Sequence, residues 1–88
     1  MRPFLKDKRF RKRFEEGLTK LRIAHELIVL REKRGLTQSA LARKMGVSQP
    51  FIAKLESGEG HNYSLETLLK IAEALNSEVE IKFRPKAA

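Results

Sequence analysis

The chain has 88 residues and a formal net charge of +8, so we expect one small domain that suits a polyanionic partner and has little room for an enclosed active site. It has no cysteine, which excludes disulfides and thiolate metal sites as a basis for its stability. Its longest apolar run, Leu27–Leu30, is too short to span a membrane and no secretion signal precedes it, which favours a cytoplasmic protein.

The first predicted element is a basic helix over residues 4–34, with Gly17 as a point where it can break. Apolar residues recur along it at helical spacing: Phe10, Phe14, Leu18, Leu21, Ala24 and Ile28. We predict that this stripe packs on the protein's own core, with a partner protein as the alternative. Arg34 and Gly35 then provide a basic last turn and a glycine stop.

Residues 37–57 carry the most informative pattern in the chain. The bulky apolar positions can form one interior face shared by two short helices: Leu41, Met45, Val47, Ile52 and Leu55. Gly46 permits the positive φ that ends the first helix, and Ser48 can cap the second. The pattern therefore predicts a helix-turn-helix, with a first helix that is capped by Thr37 and ends at Met45 and a second helix over residues 49–57. The second helix of such a motif enters the major groove of DNA.

The C-terminal third is predicted to contain one helix and one strand. Ser64 can cap a helix that ends near Asn76 and has an apolar face: Leu65, Leu68, Ile71, Ala72 and Leu75. Val79, Ile81 and Phe83 then alternate with charged residues, which predicts a short, half-buried strand. Because a lone strand leaves its backbone unpaired, we expect it to pair with the same strand of a second subunit. The alternative is a loose tail.

With these elements placed, residues 23–75 resemble an Xre/Cro-type helix-turn-helix domain, the five-helix fold of lambdoid phage repressors. The matching residues are Leu30, Arg31, Arg34, Gly35, Leu36, Thr37, Gln38, Leu41, Ala42, Gly46, Val47, Ser48, Leu55, Glu56, Ser57, Gly58, Leu65, Leu68, Ile71, Ala72 and Leu75. Two peripheral segments, residues 7–10 and 79–85, resemble the HigA-like antitoxins of toxin–antitoxin operons.

The resemblance implies an all-α fold with an added strand. We expect a basic N-terminal helical segment over residues 1–17 and the five-helix DNA-binding domain over residues 18–76. A C-terminal strand and tail over residues 77–88 would make a homodimer. The resemblance also implies that Arg31 and Glu56 form a buried ion pair.

The resemblance assigns DNA contacts to both helices of the motif. Gln38 and Lys44 would meet phosphates, and Asn62 and Tyr63 in the following loop would do the same. The residues expected at base edges are Ser48, Gln49, Pro50, Phe51 and Lys54. Gln49 can pair with adenine N6 and N7, and Lys54 can reach guanine or a phosphate. A core or dimer contact is the alternative for Phe51.

These patterns favour binding rather than catalysis. His25 and His61 lie far apart in sequence with no further ligand at metal spacing, and no catalytic constellation emerges, so we expect no metal, no cofactor and no enzyme activity. The expected function is a repressor that binds a palindromic operator, as the autoregulating antitoxin that neutralises a RelE-like ribonuclease toxin. The alternatives are a stand-alone repressor of phage or restriction–modification type and an RNA-binding or coactivator-like module.

The N-terminal segment has two functional interpretations. Residues 1–22 hold nine basic and three acidic side chains, a balance that suits a phosphate backbone and repels a basic toxin. If the segment binds a toxin, Phe10 and Phe14 should carry the contact; if it binds DNA, its lysines and arginines should. We expect a mixed outcome, with the phenylalanines packed inward and the basic face assisting DNA binding.

Overall fold

The computed structural model describes residues 7–86, and within that range the chain forms four α-helices. They are α1 (Lys8–Lys33), α2 (Gln38–Met45), α3 (Gln49–Glu56) and α4 (Leu65–Ala74). Each begins after a residue whose side-chain oxygen accepts a hydrogen bond from the first turn: Asp7, Thr37, Ser48 and Ser64. Among residues 7–86, no helix is both long enough and apolar enough to cross a bilayer.

The first helix is continuous through Gly17. It runs for 26 residues, and the position where a Gly17 side chain would begin faces open space. Nothing therefore forces a break there, and the N-terminal segment and the first helix of the domain become one element. The molecule is elongated as a result, with extents of 45 × 25 × 21 Å. Phe4, the predicted helix start, lies outside the described residues.

The turn between α2 and α3 has the predicted glycine stop. Gly46 adopts a φ of 69°, which is left-handed and favours glycine. The chain reversal is closed by the Val47 N–H, which donates to the carbonyl of Ala42 at 2.9 Å. Ser48 then accepts from the N–H of Phe51 at 3.2 Å, so the turn fixes where α3 starts.

The core lies where α3 packs against α1 and α2, with α4 closing the far side of α2. Its buried members are Leu27, Leu41, Ala42, Ile52, Leu55, Ile71 and Leu75. Burying a leucine or isoleucine of this kind stabilises the fold by roughly 1.5–3 kcal/mol. Because Ile52 and Leu55 lie on one face of α3, this face packs against the core and the opposite face points toward solvent.

The prediction of a five-helix domain with a C-terminal strand is wrong. Residues 7–86 contain four helices and no strand, and residues 77–86 are irregular. Val79 is half-buried beside α1 and α4, but Ile81 is largely exposed and Phe83 is 97% exposed. Alternating side chains make a strand only when a neighbouring strand takes up the backbone hydrogen bonds, and the described chain offers none. The strand-mediated dimer has no counterpart in this fold.

Tyr63 ties the loop after α3 to the helix itself. Its hydroxyl donates to the carbonyl of Leu55 at 2.7 Å, and the same carbonyl accepts from the Gly58 N–H at 3.3 Å. Burial raises the pKa of Tyr63 above its ordinary value of 10.0, with the backbone N–H of Gly60 partly opposing it. The folded state holds the phenolic proton more tightly than the unfolded state does, so the protonated Tyr63 contributes to the stability of the fold. This contribution to stability is complete below pH 10.0 and is lost as the pH rises through the folded-state pKa.

We expect Tyr63→Phe to lower the free energy of unfolding at neutral pH by about 0.5–1.5 kcal/mol, since one hydrogen bond is lost while the carbonyl of Leu55 keeps a donor. Above pH 10.0 the wild type loses this advantage, so the difference between the two proteins should narrow. Denaturant unfolding of both proteins across this range measures the difference. The chain has one tyrosine and no tryptophan, so an absorbance titration reports the ionisation of Tyr63 directly. If the difference in free energy of unfolding between the two proteins stays constant with pH, folding does not raise the pKa of Tyr63.

Candidate nucleic-acid interface

A buried ion pair joins α1 to the end of α3. Arg31 Nε and Nη2 donate to Glu56 Oε2 and Oε1 at 2.6 and 3.0 Å, and the two side chains are 12% and 5% exposed. Arg31 Nη1 also donates to the carbonyl of Leu36 at 2.7 Å, which adds the loop before α2 to the same contact. The hydrogen bond to Glu56 raises the pKa of Arg31, against the opposing effect of burial. Together these contacts fix α1, the end of α3 and the loop before α2 relative to one another.

The ion pair continues to the surface through two glutamines. Gln38 Nε2, in the first turn of α2, donates to Glu56 Oε1 at 3.0 Å. Gln49 Nε2, in the first turn of α3, donates to Gln38 Oε1 at 2.7 Å. Arg31, Glu56, Gln38 and Gln49 thus form one polar network, which runs from the buried pair to an exposed side chain. It places the predicted phosphate-binding and base-reading glutamines side by side.

The outer face of α3 presents most of the other residues predicted at base edges. Gln49, Pro50 and Lys54 are exposed, and Ser48 caps the helix with its hydroxyl. Phe51 differs, because it is half-buried and packs against the core. Its ring contributes to holding α3 in place, which is the alternative weighed for it from the sequence.

The exposed charged residues of α2 and α3 are all basic. Between Leu36 and Leu55 the sequence has three basic residues, Arg43, Lys44 and Lys54, and no acidic residue. All three basic residues are exposed, and Glu56, the next residue, is buried and paired. An exposed helix flanked by cations, with hydrogen-bonding side chains at its start, has the chemistry needed for a DNA groove and its phosphates.

Asn62 has a structural contact in the loop before α4. Its Oδ1 accepts from the hydroxyls of Thr67 at 2.9 Å and Ser64 at 3.3 Å, which organises the start of that helix. A phosphate contact by Asn62 stays a prediction.

Sequence reasoning missed the role of Arg34. The sequence pattern places Arg34 at the end of its own helix, but its Nε donates to the carbonyl of Leu75 at 2.8 Å and its Nη2 to that of Asn76 at 3.2 Å. Arg34 therefore caps the C-terminus of α4, where Asn76 takes a positive φ of 50°. The available signal was the lack of a basic residue in the last turn of α4, whose free carbonyls need donors from elsewhere.

A second surface lies on the N-terminal half of α1. We call Phe10, Phe14, Leu18 and Leu21 the apolar stripe. The rings of Phe10 and Phe14 stack with centroids 6.2 Å apart, and Phe14, Leu18 and Leu21 are 50%, 47% and 54% exposed. In α1 only Ala24 and Leu27 are buried. The expected packing of the stripe on the protein's own core is therefore limited, and half of its surface is open.

Known proteins are similar to this chain in sequence. Residues 27–81 match the helix-turn-helix family HTH_3. The chain is 38% identical over 66 residues to an HTH-type transcriptional regulator of Haemophilus influenzae, 43% over 53 residues to one of Archaeoglobus fulgidus, and 34% over 62 residues to the antitoxin HipB of Escherichia coli. These matches cover 75%, 60% and 70% of this chain and 66%, 74% and 65% of the relatives.

A solved structure agrees with these relatives. The crystal structure of an HTH_3 family transcriptional regulator from Vibrio cholerae superposes with a TM-score of 0.67 at 36% identity. The match covers 72% of this chain and 35% of that one, so it spans about a third of the Vibrio cholerae protein.

Proposed function

Because this chain belongs to the HTH_3 helix-turn-helix family, we propose that it is a transcriptional regulator that binds a specific double-stranded DNA site through α3. The observation that carries this proposal is the outer face of α3. It exposes Gln49 and Lys54 above a buried core, and the exposed charged residues of α2 and α3 are all basic. Side chains with donors and acceptors read base edges, and the cations supply affinity for the backbone.

The proposed complex places α3 in the major groove. Gln49 would pair with an adenine and Lys54 with a guanine or a phosphate. Gln38 and Lys44, on the first helix of the motif, would meet phosphates and so position α3. Two copies of the chain would occupy one palindromic operator, with half-sites about 10 bp apart.

Selection from random duplex DNA tests this proposal. We expect an inverted repeat to be enriched. Gln49→Ala should cost about 1–3 kcal/mol at one base position, because a bidentate pair is lost. Lys44→Ala should weaken binding to all sequences alike. Lys82→Ala, which removes an exposed lysine from the irregular C-terminal segment, is the matched control and should change affinity less than Lys44→Ala does. If no motif is enriched, the proposed function is wrong.

We further propose that this regulator is the antitoxin of a toxin–antitoxin operon and represses that operon. The similarity to the antitoxin HipB and the open apolar stripe on α1 both favour a protein partner. The expected partner is a RelE-like ribonuclease toxin. Such toxins are typically basic, and residues 7–22 carry seven basic and three acidic side chains, so the stripe rather than the charges would carry the contact.

The stand-alone repressor is the second candidate, favoured by the same basic residues. Two sets of substitutions on α1 separate the candidates. If a toxin binds there, the apolar variant Phe14→Gln/Leu18→Gln should no longer co-purify with the protein encoded beside this gene. A second variant, in which Lys8, Arg9, Lys12 and Arg13 are neutralised, should still co-purify with it. If DNA binds there, neutralising the exposed Lys8, Arg9, Lys12 and Arg13 should flatten the salt dependence of operator affinity by up to about 0.9 log units per lost phosphate contact. An unchanged salt slope would remove this helix face from DNA binding.

A further inference from the structure

Gly17 has no explanation within the fold of this chain. It lies inside α1, where the backbone is helical and needs no glycine. Beyond its chain neighbours and the backbone of α1, a Cβ atom added to Gly17 would meet nothing within 4 Å. Alanine would therefore fit at this position and would make the helix more stable, because glycine is a poor helix former. A glycine that costs helix stability and borders open space indicates a contact with something outside the chain.

Gly17 forms a notch in the apolar stripe. Phe10, Gly17 and Ala24 are seven residues apart, and so are Phe14 and Leu21, which is the spacing of a seam along which two helices pack. Ala24 is 2% exposed, so the protein itself covers the seam there. Toward the N-terminus the same seam is open, with Phe14 50% exposed. A helix laid on this part of the seam would meet bulky side chains with one gap between them.

The charged residues that border the apolar stripe are mainly basic. At about 3.6 residues per turn, these side chains lie roughly 60–120° from the centre of the stripe. They are Arg11, Arg13, Glu15, Lys20 and Arg22. Glu15, the one acidic member, is paired with Lys86 at 3.2 Å, so the borders carry a net positive charge. Two copies of α1 packed along their stripes would bring these like charges together, which argues against a second copy and for an acidic partner.

We propose that the apolar stripe binds an α-helix of a partner protein, one with an apolar face flanked by carboxylates and with a bulky side chain seated against Gly17. This inference rests on the proposed antitoxin function, since it describes the surface that the toxin presents. The bulky side chain fills the gap between Phe14 and Leu21, and carboxylates beside it meet Lys20 and Arg22. The requirement is local, so a toxin whose net charge is basic can meet it with one acidic helix.

Substitutions at Gly17 in the full chain test the notch. Gly17→Ala should raise the midpoint of thermal unfolding by about 4–8 °C, because the helix improves and the space is open. The same variant should bind the protein encoded beside this gene about tenfold more weakly in calorimetric titration, because the partner's side chain is displaced. Gly17→Leu should weaken binding at least as much, whereas on a flat apolar surface the added leucine would maintain or strengthen it. Thr19→Ala, on the opposite side of α1, is the matched control and should leave binding unchanged.

Two designed helical peptides test the chemistry of the partner. Both have a leucine seam, which is flanked by glutamates in one peptide and by lysines in the other. The full chain should bind the glutamate peptide and not the lysine peptide. Lys20→Glu/Arg22→Glu should weaken binding of the glutamate peptide by about fivefold at low salt and by less at high salt, where exposed charges are screened.

The possible results separate the inference from the proposed function. Equal affinity for the two peptides would overturn the inference, and so would a Gly17→Leu variant that binds the neighbouring protein as tightly as the wild type does. A dimer that Phe14→Gln/Leu18→Gln makes monomeric in sedimentation would also overturn it, because a second copy would then cover the stripe. If the neighbouring protein does not bind the wild type at all, the antitoxin function is wrong, and the peptide comparison distinguishes this result from a failure of the inference.

Discussion

Replacing Arg31 with methionine is expected to lower the free energy of unfolding by about 3–5 kcal/mol, the cost of leaving one charge of a buried pair uncompensated. Glu56 would keep Gln38 as a donor but would lose both of its bonds to the guanidinium. Glu56→Met should cost a similar amount, because Arg31 would then be the buried and unpaired charge. The double variant should cost less than the sum of the two, since neither charge remains.

Chemical denaturation of the four proteins measures this coupling as a double-mutant cycle. The exposed pair Glu66–Lys70 on α4, 3.7 Å apart, provides the matched control. Its coupling should be at most about 0.5 kcal/mol, as for other solvent-exposed helix pairs. Strict additivity of Arg31→Met and Glu56→Met would contradict a stabilising role for the buried pair.

Ile52→Ala is expected to lower the free energy of unfolding by about 2–5 kcal/mol, through lost burial and the cavity left behind. Ile52 is 0% exposed and lies on the inner face of α3, where it belongs to the buried core together with Leu41 and Leu55. Weaker operator binding should follow at temperatures where the variant begins to unfold.

The chain supplies its own control for this substitution. Ile81 is 56% exposed in the irregular C-terminal segment, so Ile81→Ala should change the free energy of unfolding by no more than about 0.5 kcal/mol. Denaturant unfolding of both variants, with unchanged dependence on denaturant concentration, gives the comparison. Equal effects at the two positions would show that the inner face of α3 is not the centre of the core.

Local signals predicted the parts of the fold that local chemistry decides. Gly46, Ser48 and Ser64 act on backbone groups within a few residues, so their turn and caps could be read from the sequence. The strand at residues 77–86 could not, because alternation reports the two faces of a strand and not whether a neighbour exists to pair with it. The exposure of the apolar stripe on α1 depends in the same way on what lies beside it.

The candidate site shows the same division. The types of residue expected at the DNA surface follow from the motif, but the contacts between them do not. Gln38 is 18 residues from Glu56 and 11 from Gln49, and only the packing of α2 against α3 brings these amides together. The hydrogen bonds of the polar network depend on that packing, so the sequence alone does not predict them.

The position of Gln49 in the network has an evolutionary consequence. Pro50 and Lys54 lie on the exposed face of α3 outside the polar network, so under the proposed function a single substitution at either residue can change operator preference. A change at Gln49 removes the donor that Gln38 Oε1 uses, and a change at Gln38 frees the amide of Gln49. We therefore expect residues 38 and 49 to change together among diverging descendants, and residues 50 and 54 to change independently.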